Sequence, residues 1–128
     1  MVNKGVILKL PPILPDTITF GYSHKLKTLY KQGKLPTVKY GFYGGELTKD
    51  IVSLEHLQPH SKGGKTVLNN LVLATVENNN KRGNKSLWEY LNPENVLKYL
   101  SQFIGVKTDG FNGDDYVRQI LHKLGNVK

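Results

Sequence analysis

The sequence contains no cysteine, which excludes disulfides, cysteine-held zinc and thiol chemistry and fits a reducing compartment, so a cytoplasmic location is the expectation. Long apolar runs are also missing. Nothing approaches the roughly 20 apolar residues of a membrane span, and the N-terminal stretch Val6-Ile7-Leu8 is cut by Lys9, Pro11 and Pro12. That stretch reads as a strand leading into a turn rather than as the apolar part of a signal peptide. No membrane partner is expected. Acidic residues are scarce: ten Asp and Glu stand against eighteen Lys and Arg, a formal charge of +8. Such an excess of positive charge is the footprint of a chain that meets phosphate backbones, although charge speaks to partners and not to fold. Repeats, low-complexity tracts and linkers are absent too, so the 128 residues read as one domain, 1–128.

The positive charge is uneven. From Tyr22 to Gly45 the chain carries five lysines, Lys25, Lys27, Lys31, Lys34 and Lys39, and no acid. Within this basic segment Ser23 is placed to cap a short helix with Leu26, Leu29 and Tyr30 on one face and Gly33 as its stop. Residues 38–49 read as an extended, tyrosine-rich segment turning at Gly44 and Gly45. Ile51, Val52 and Leu54 predict a short strand, Pro59 to Gly64 a loop, Leu71 to Ala74 a second strand, and Thr75 the cap of a polar helix. Asn92-Pro93-Glu94 starts a further helix with Val96, Leu97, Leu100 and Ile104 as its buried stripe. Asp114 and Asp115 open another, with Val117, Ile120, Leu121 and Leu124 inward and Gly125 as its end. The fold class is therefore α+β: a central strand-loop-strand-helix unit, a basic N-terminal segment and flanking C-terminal helices.

The chemically informative stretch is Ser53-Leu-Glu-His-Leu-Gln-Pro-His-Ser-Lys-Gly-Gly64, followed by Asn69-Asn-Leu-Val-Leu-Ala74 and Asn78-Asn-Asn-Lys-Arg-Gly83. It resembles the HNH endonuclease family, the ββα-metal or His-Me finger nucleases. Glu55-His56 matches the family's acid-His pair, Pro59 and Ser61 to Gly64 its loop, Asn70-Leu71 its middle Asn and strand, and Asn78 to Gly83 its short helix. The resemblance spans about residues 40–85. Many members clamp this motif with two Cys-x-x-Cys pairs around a structural zinc. The corresponding positions here are Tyr40 and Tyr43, and Thr75 and Asn78, so no structural zinc is expected and tyrosine packing is expected to hold the hairpin instead.

Hydrolysis of a phosphodiester needs a nucleophilic water, neutralisation of charge on the phosphoryl oxygens and support for the leaving alkoxide. His56 suits the first task, because an imidazole with an ordinary pKa of about 6.5 is largely neutral at pH 7 and accepts a proton. The resemblance implies Glu55 and Asn79 as ligands of one metal ion and Asn70 as the residue that holds the loop and His56. Asn78 and Asn80 compete with Asn79 for the metal position, because one residue along a helix rotates a side chain by about 100°. Glu replaces the commoner Asp in the acid slot, which leaves the geometry of that ligand open. An all-oxygen shell points to Mg²⁺, with Mn²⁺ as the alternative. Lys62, Lys81, Arg82, Lys25 and Lys27 are the candidate phosphate contacts, Arg82 in two-pronged fashion. His60, at a variable loop position, reads as a surface or phosphate contact, and His24 as a solvated residue.

Two functions remain open on these residues. One is a metal-dependent endonuclease acting on DNA, with RNA as the other substrate and either a monomer or a dimer as the working unit. The other is a basic nucleic-acid-binding module on the same scaffold without turnover, for which Glu55 in place of Asp is the best support.

Overall fold

The computed structural model describes residues 25 to 127. The expected N-terminal strand and turn, the Ser23 cap and His24 lie outside these residues. Among the described residues the chain is α+β, with five helices and two small antiparallel sheets. No helix among them is long and apolar enough to cross a membrane.

Helix α1, Lys25–Lys31, turns Leu26 and Leu29 into the core, and Gly33 ends it at a positive φ of 78°. Strands β1, Val52–His56, and β2, Leu71–Thr75, pair antiparallel with Leu54 opposite Leu73 and Glu55 opposite Val72. A two-stranded sheet is marginal by itself, because both of its edges expose unpaired peptide groups. Here side chains close much of both edges, and on the β2 side the Phe42 N–H also takes the Leu73 carbonyl at 2.9 Å.

On the β2 edge, the Leu73 N–H donates to the Tyr99 oxygen at 2.9 Å and the Tyr116 hydroxyl donates to the Leu71 carbonyl at 2.7 Å. The two phenol oxygens are 2.8 Å apart. Because the Tyr116 proton is committed to Leu71, Tyr99 donates to Tyr116, and the relay runs in one direction. On the β1 edge, the Leu54 carbonyl accepts from the Asn79 amide and the His56 carbonyl from Arg82. Those two side chains come from α2, Val76–Arg82, which starts on the Thr75 cap: its hydroxyl accepts from the Asn78 N–H. The sheet is thus held between α2 on one edge and the C-terminal helices on the other.

After the one-turn helix α3, Leu87–Tyr90, come α4, Pro93–Ser101, capped by the Asn92 side chain, and α5, Gly113–Leu124, capped by Asn112. The buried positions of α4 and the turn after it are Val96, Tyr99, Leu100 and Phe103, whereas Leu97 and Ile104 are 60% and 43% exposed. This corrects the expected stripe. The i, i+3, i+4, i+7 series starting at Val96 selects the aromatic residues, and Leu97 and Ile104 each sit one step, about 100°, outside it. In α5, Val117, Ile120 and Leu124 are buried as expected, together with Tyr116. Between the two helices lies a hairpin that the periodicity did not predict, β3 Lys107–Thr108 and β4 Phe111–Asn112, turning at Asp109 and Gly110, both with positive φ.

Burial raises the pKa of the Tyr99, Tyr116 and Tyr43 phenols above the ordinary 10.0, most of all by desolvating the phenolate. A raised tyrosine pKa stabilises the fold fully below the unfolded value of about 10 and loses that contribution as pH rises beyond it. The protein is therefore expected to unfold cooperatively above pH ~10. Phenolate absorbance and loss of helical circular dichroism should rise together; independent titration of all the phenols in a still-folded chain would contradict this.

Candidate functional site

β1 alternates its side chains, so Glu55 and His56 leave the strand on opposite sides. Glu55 is 7% exposed. Its Oε2 accepts from the Tyr43 hydroxyl at 2.6 Å and from Arg82 Nη1 at 3.0 Å. Arg82 is 1% exposed and also donates through Nη1 to the His56 carbonyl, through Nη2 to the Leu57 carbonyl and through Nε to the Lys85 carbonyl. The candidate phosphate contact Arg82 is therefore corrected. Its guanidinium is spent inside the protein, where a buried carboxylate and three peptide oxygens satisfy it, and it offers no face to a phosphate.

His56 points to the other side and is half-buried. Its Nε2 lies 2.9 Å from the Thr66 hydroxyl, and its ring meets the His60 ring edge-on at 5.7 Å between centroids. Burial lowers the His56 pKa below its usual value, the neighbouring His60 adds to this, and Glu55 opposes it. The imidazole is thus kept in the neutral form that accepts a proton.

The loop between β1 and β2 is shaped by Asn70, which is fully buried. Its Oδ1 accepts from the Gln58 N–H at 2.9 Å, and its Nδ2 donates to the carbonyls of Gln58 and Lys65 at 3.0 and 2.9 Å. One amide therefore fastens both ends of the loop, and the Lys65 end carries Thr66 to His56. Gly64 makes this closure fit, because a Cβ there would fall 1.7 Å from the Gln58 carbonyl oxygen. Any side chain would force the loop open.

The three asparagines of α2 separate by rotation. Asn78 faces the tyrosine loop, donating to the Gly44 carbonyl and accepting from the Tyr90 hydroxyl. Asn80 is exposed. Asn79 faces β1, where its Nδ2 donates to the Ser53 hydroxyl at 2.9 Å and the Leu54 carbonyl at 3.2 Å. The four positions Tyr40, Tyr43, Thr75 and Asn78 are bridged by amides as well as by tyrosine packing. Besides Asn78, the Asn95 side chain donates to the Tyr43 carbonyl, and Gln102 bonds both backbone groups of Tyr40. Tyr43 also packs edge-on against Phe42 and Tyr90.

Lys62 and Lys81 are exposed, and Lys81 reaches Glu77 at 3.1 Å in a solvated pair that costs little to break. Lys27 is half-exposed on α1; Lys25 opens α1, and its side chain is outside what is described. Among the described residues no group of three or more His, Asp or Glu side chains gathers. A hard cation does not require one, since Mg²⁺ keeps most of its waters and uses one or two protein oxygens. Glu55 and Asn79 carry oxygen donors of the kind such an ion takes, and the Glu55 carboxylate is buried and paired with Arg82. Sequence reasoning missed Thr66 and Tyr43 as partners of His56 and Glu55. Neither lies in a pattern that marks it, and only tertiary contact reveals them.

Comparison with protein-family profiles, with curated proteins and with solved structures gives no match to this chain.

Removing one partner of a buried ion pair leaves the other charge desolvated, at about 3–5 kcal/mol. Glu55→Ala should therefore lower the melting temperature by roughly 10 °C or more. Glu55→Ala combined with Arg82→Met should recover part of that loss. Strictly additive losses in urea denaturation would show that the two groups do not act as a pair.

Proposed function

We propose that β1, the Asn70 loop, β2 and α2 form a ββα-metal finger of the HNH type, and that the protein hydrolyses phosphodiester bonds in nucleic acid, with DNA as the first substrate to test. The observation that carries this reading is the setting of His56. A half-buried imidazole, held neutral, stands at the end of β1 beside an exposed lysine loop, and a buried asparagine ties down both ends of that loop.

In this reading the Nε2 proton of His56 is donated to Thr66 Oγ1, so Nδ1 carries the free lone pair and takes a proton from the attacking water. Asn70 acts through the loop: it fixes Gln58 and Lys65, and so the position of Thr66 against the ring. Lys62 lies on the same loop and neutralises charge on the phosphate. Asn79, its amide nitrogen anchored to β1, and Glu55, through Oε1, are the residues that would hold Mg²⁺. When bound, the ion neutralises the phosphoryl oxygens and the leaving oxygen.

One observation favours the second reading, a basic binding module without turnover. The Glu55 carboxylate already has a cation in Arg82, which weakens its claim on a metal.

Incubation of supercoiled plasmid with Mg²⁺ separates the two. The enzyme reading expects nicking that EDTA abolishes and that His56→Ala lowers by about 100-fold or more, while DNA binding persists and weakens steeply with added salt. Salt-sensitive binding by the parent protein with no nicking in Mg²⁺ or Mn²⁺ would eliminate the enzyme and leave the binding module.

A further inference from the structure

Behind the loop that carries Lys62 lies a recess of about 220 Å³ that the chemistry at His56 does not use. Its walls come from three separate parts of the chain: Gln58, Pro59 and Lys62; Arg82, Ser86 and Leu87; and Asn126 with Val127. The volume is below the roughly 300–1,000 Å³ of sites for drug-sized ligands, and suits one planar ring. Pro59, Leu87 and Val127 supply apolar walls. Gln58 and Asn126 each spend their amide nitrogen on a backbone carbonyl, which leaves their side-chain oxygens as acceptors. Ser86 precedes α3 without its hydroxyl capping that helix. No carboxylate lines the recess, and Lys62 brings a positive charge to it.

Next to this recess stands Trp88, the only tryptophan of the chain and 53% exposed. It follows Leu87 in the chain, and its indole N–H donates to the carbonyl of Val127 at 2.8 Å. The one polar atom of the ring is therefore satisfied by the wall of the recess, and the ring is held in place with its surface open to solvent. A fixed, exposed aromatic ring next to a recess that Lys62 lines is suited to stacking on a nucleobase, and bases of any identity offer a face to it.

We infer that this recess and Trp88 form a subsite for an unpaired segment of nucleic acid, one base stacked on Trp88 and a neighbouring base edge entering between Pro59 and Val127. This rests on the proposed nuclease reading and names its substrate class: strands with unpaired bases, such as single strands, flaps or junctions. A base within a duplex is stacked on both faces and cannot reach a recessed wall without being turned out of the helix.

Because Trp88 is the only tryptophan, its fluorescence reports on the subsite directly. The full chain carrying His56→Ala is titrated with a 12-nucleotide mixed-sequence DNA single strand, with the same sequence as a duplex, and with polyglutamate at equal charge. The expected result is strong quenching by the single strand and at least tenfold tighter binding of it than of the duplex at the same salt. Trp88→Ala should weaken single-strand binding about tenfold, leaving duplex binding unchanged. Asn126→Phe, which fills the recess at an exposed position near the end of the described chain, should do the same without removing the ring.

Single-strand binding seen by mobility shift with Trp88 emission unchanged would overturn the inference, as would equal quenching by polyglutamate, which would assign the patch to acidic polymers at large. Plasmid nicking that persists alongside either result would leave the nuclease reading standing. A chain that neither binds nor nicks any nucleic acid would end both.

Discussion

The guanidinium of Arg82 is the constraint on which the central unit depends. It sits at the last turn of α2 and reaches back to Glu55, to the hydroxyl of Tyr43 and to the backbone of His56, Leu57 and Lys85. One side chain thus joins the helix, the outer edge of β1, the tyrosine loop and the segment that follows. An arginine suits this place because its donors point in several fixed directions within one plane, so it can meet acceptors on different elements at once. Burying it requires the carboxylate of Glu55, and burying Glu55 requires Arg82 and Tyr43. The three residues are placed in the core together or not at all.

The same logic extends along the sheet. Two strands leave two edges, and each edge group needs a partner. Asn79 and Arg82 from α2 close one side, and Tyr99 and Tyr116 from α4 and α5 close the other. Polar side chains, with the Phe42 N–H on the Leu73 carbonyl, therefore take the part that further strands play in larger sheets. The β1–β2 loop beyond Leu57 is held instead by its own turns at 59–64 and 67–70, by the Gln58 amide on the Lys62 carbonyl and by Asn70, which ties Gln58 to Lys65. His56 ends the paired strand at the point where backbone control passes from the ladder to that asparagine.

Much of this was legible because local chemistry dictates it. Thr75, Asn92 and the Asp114-Asp115 pair marked helix starts that are found within a few residues, and the runs Ile51, Val52 and Leu54 and 71–74 became β1 and β2, with Ile51 left outside the strand and 40% exposed. Leu97 and Ile104 misled because leucine and isoleucine count as core by type, while the face of α4 is chosen by Tyr99 and Phe103, whose rings interlock with Phe42, Phe111 and Tyr116. The Asp109-Gly110 hairpin carries a known turn signal, but its two-residue strands are too short to show alternation. Arg82 misled for a different reason. A basic residue beside a lysine at the end of a polar helix reads as surface, and only the approach of Tyr43 and Glu55, 39 and 27 positions away, turns it inward.

The residues of the motif are thus divided between holding the fold and remaining available for chemistry. Asn70 and Arg82 are consumed: every bond described for them goes to protein. Glu55 and Asn79 are half consumed, each anchored through one atom with a second oxygen outside those bonds. His56 is anchored through one nitrogen, and the other stays outside that bond. In the proposed reading, anchoring one end of a polar group pre-positions a reacting side chain without the entropy of a loose one. This gradation along a single strand-loop-strand-helix unit supports placing the proposed chemistry at His56 rather than at the more exposed His60 or the charged helix α1.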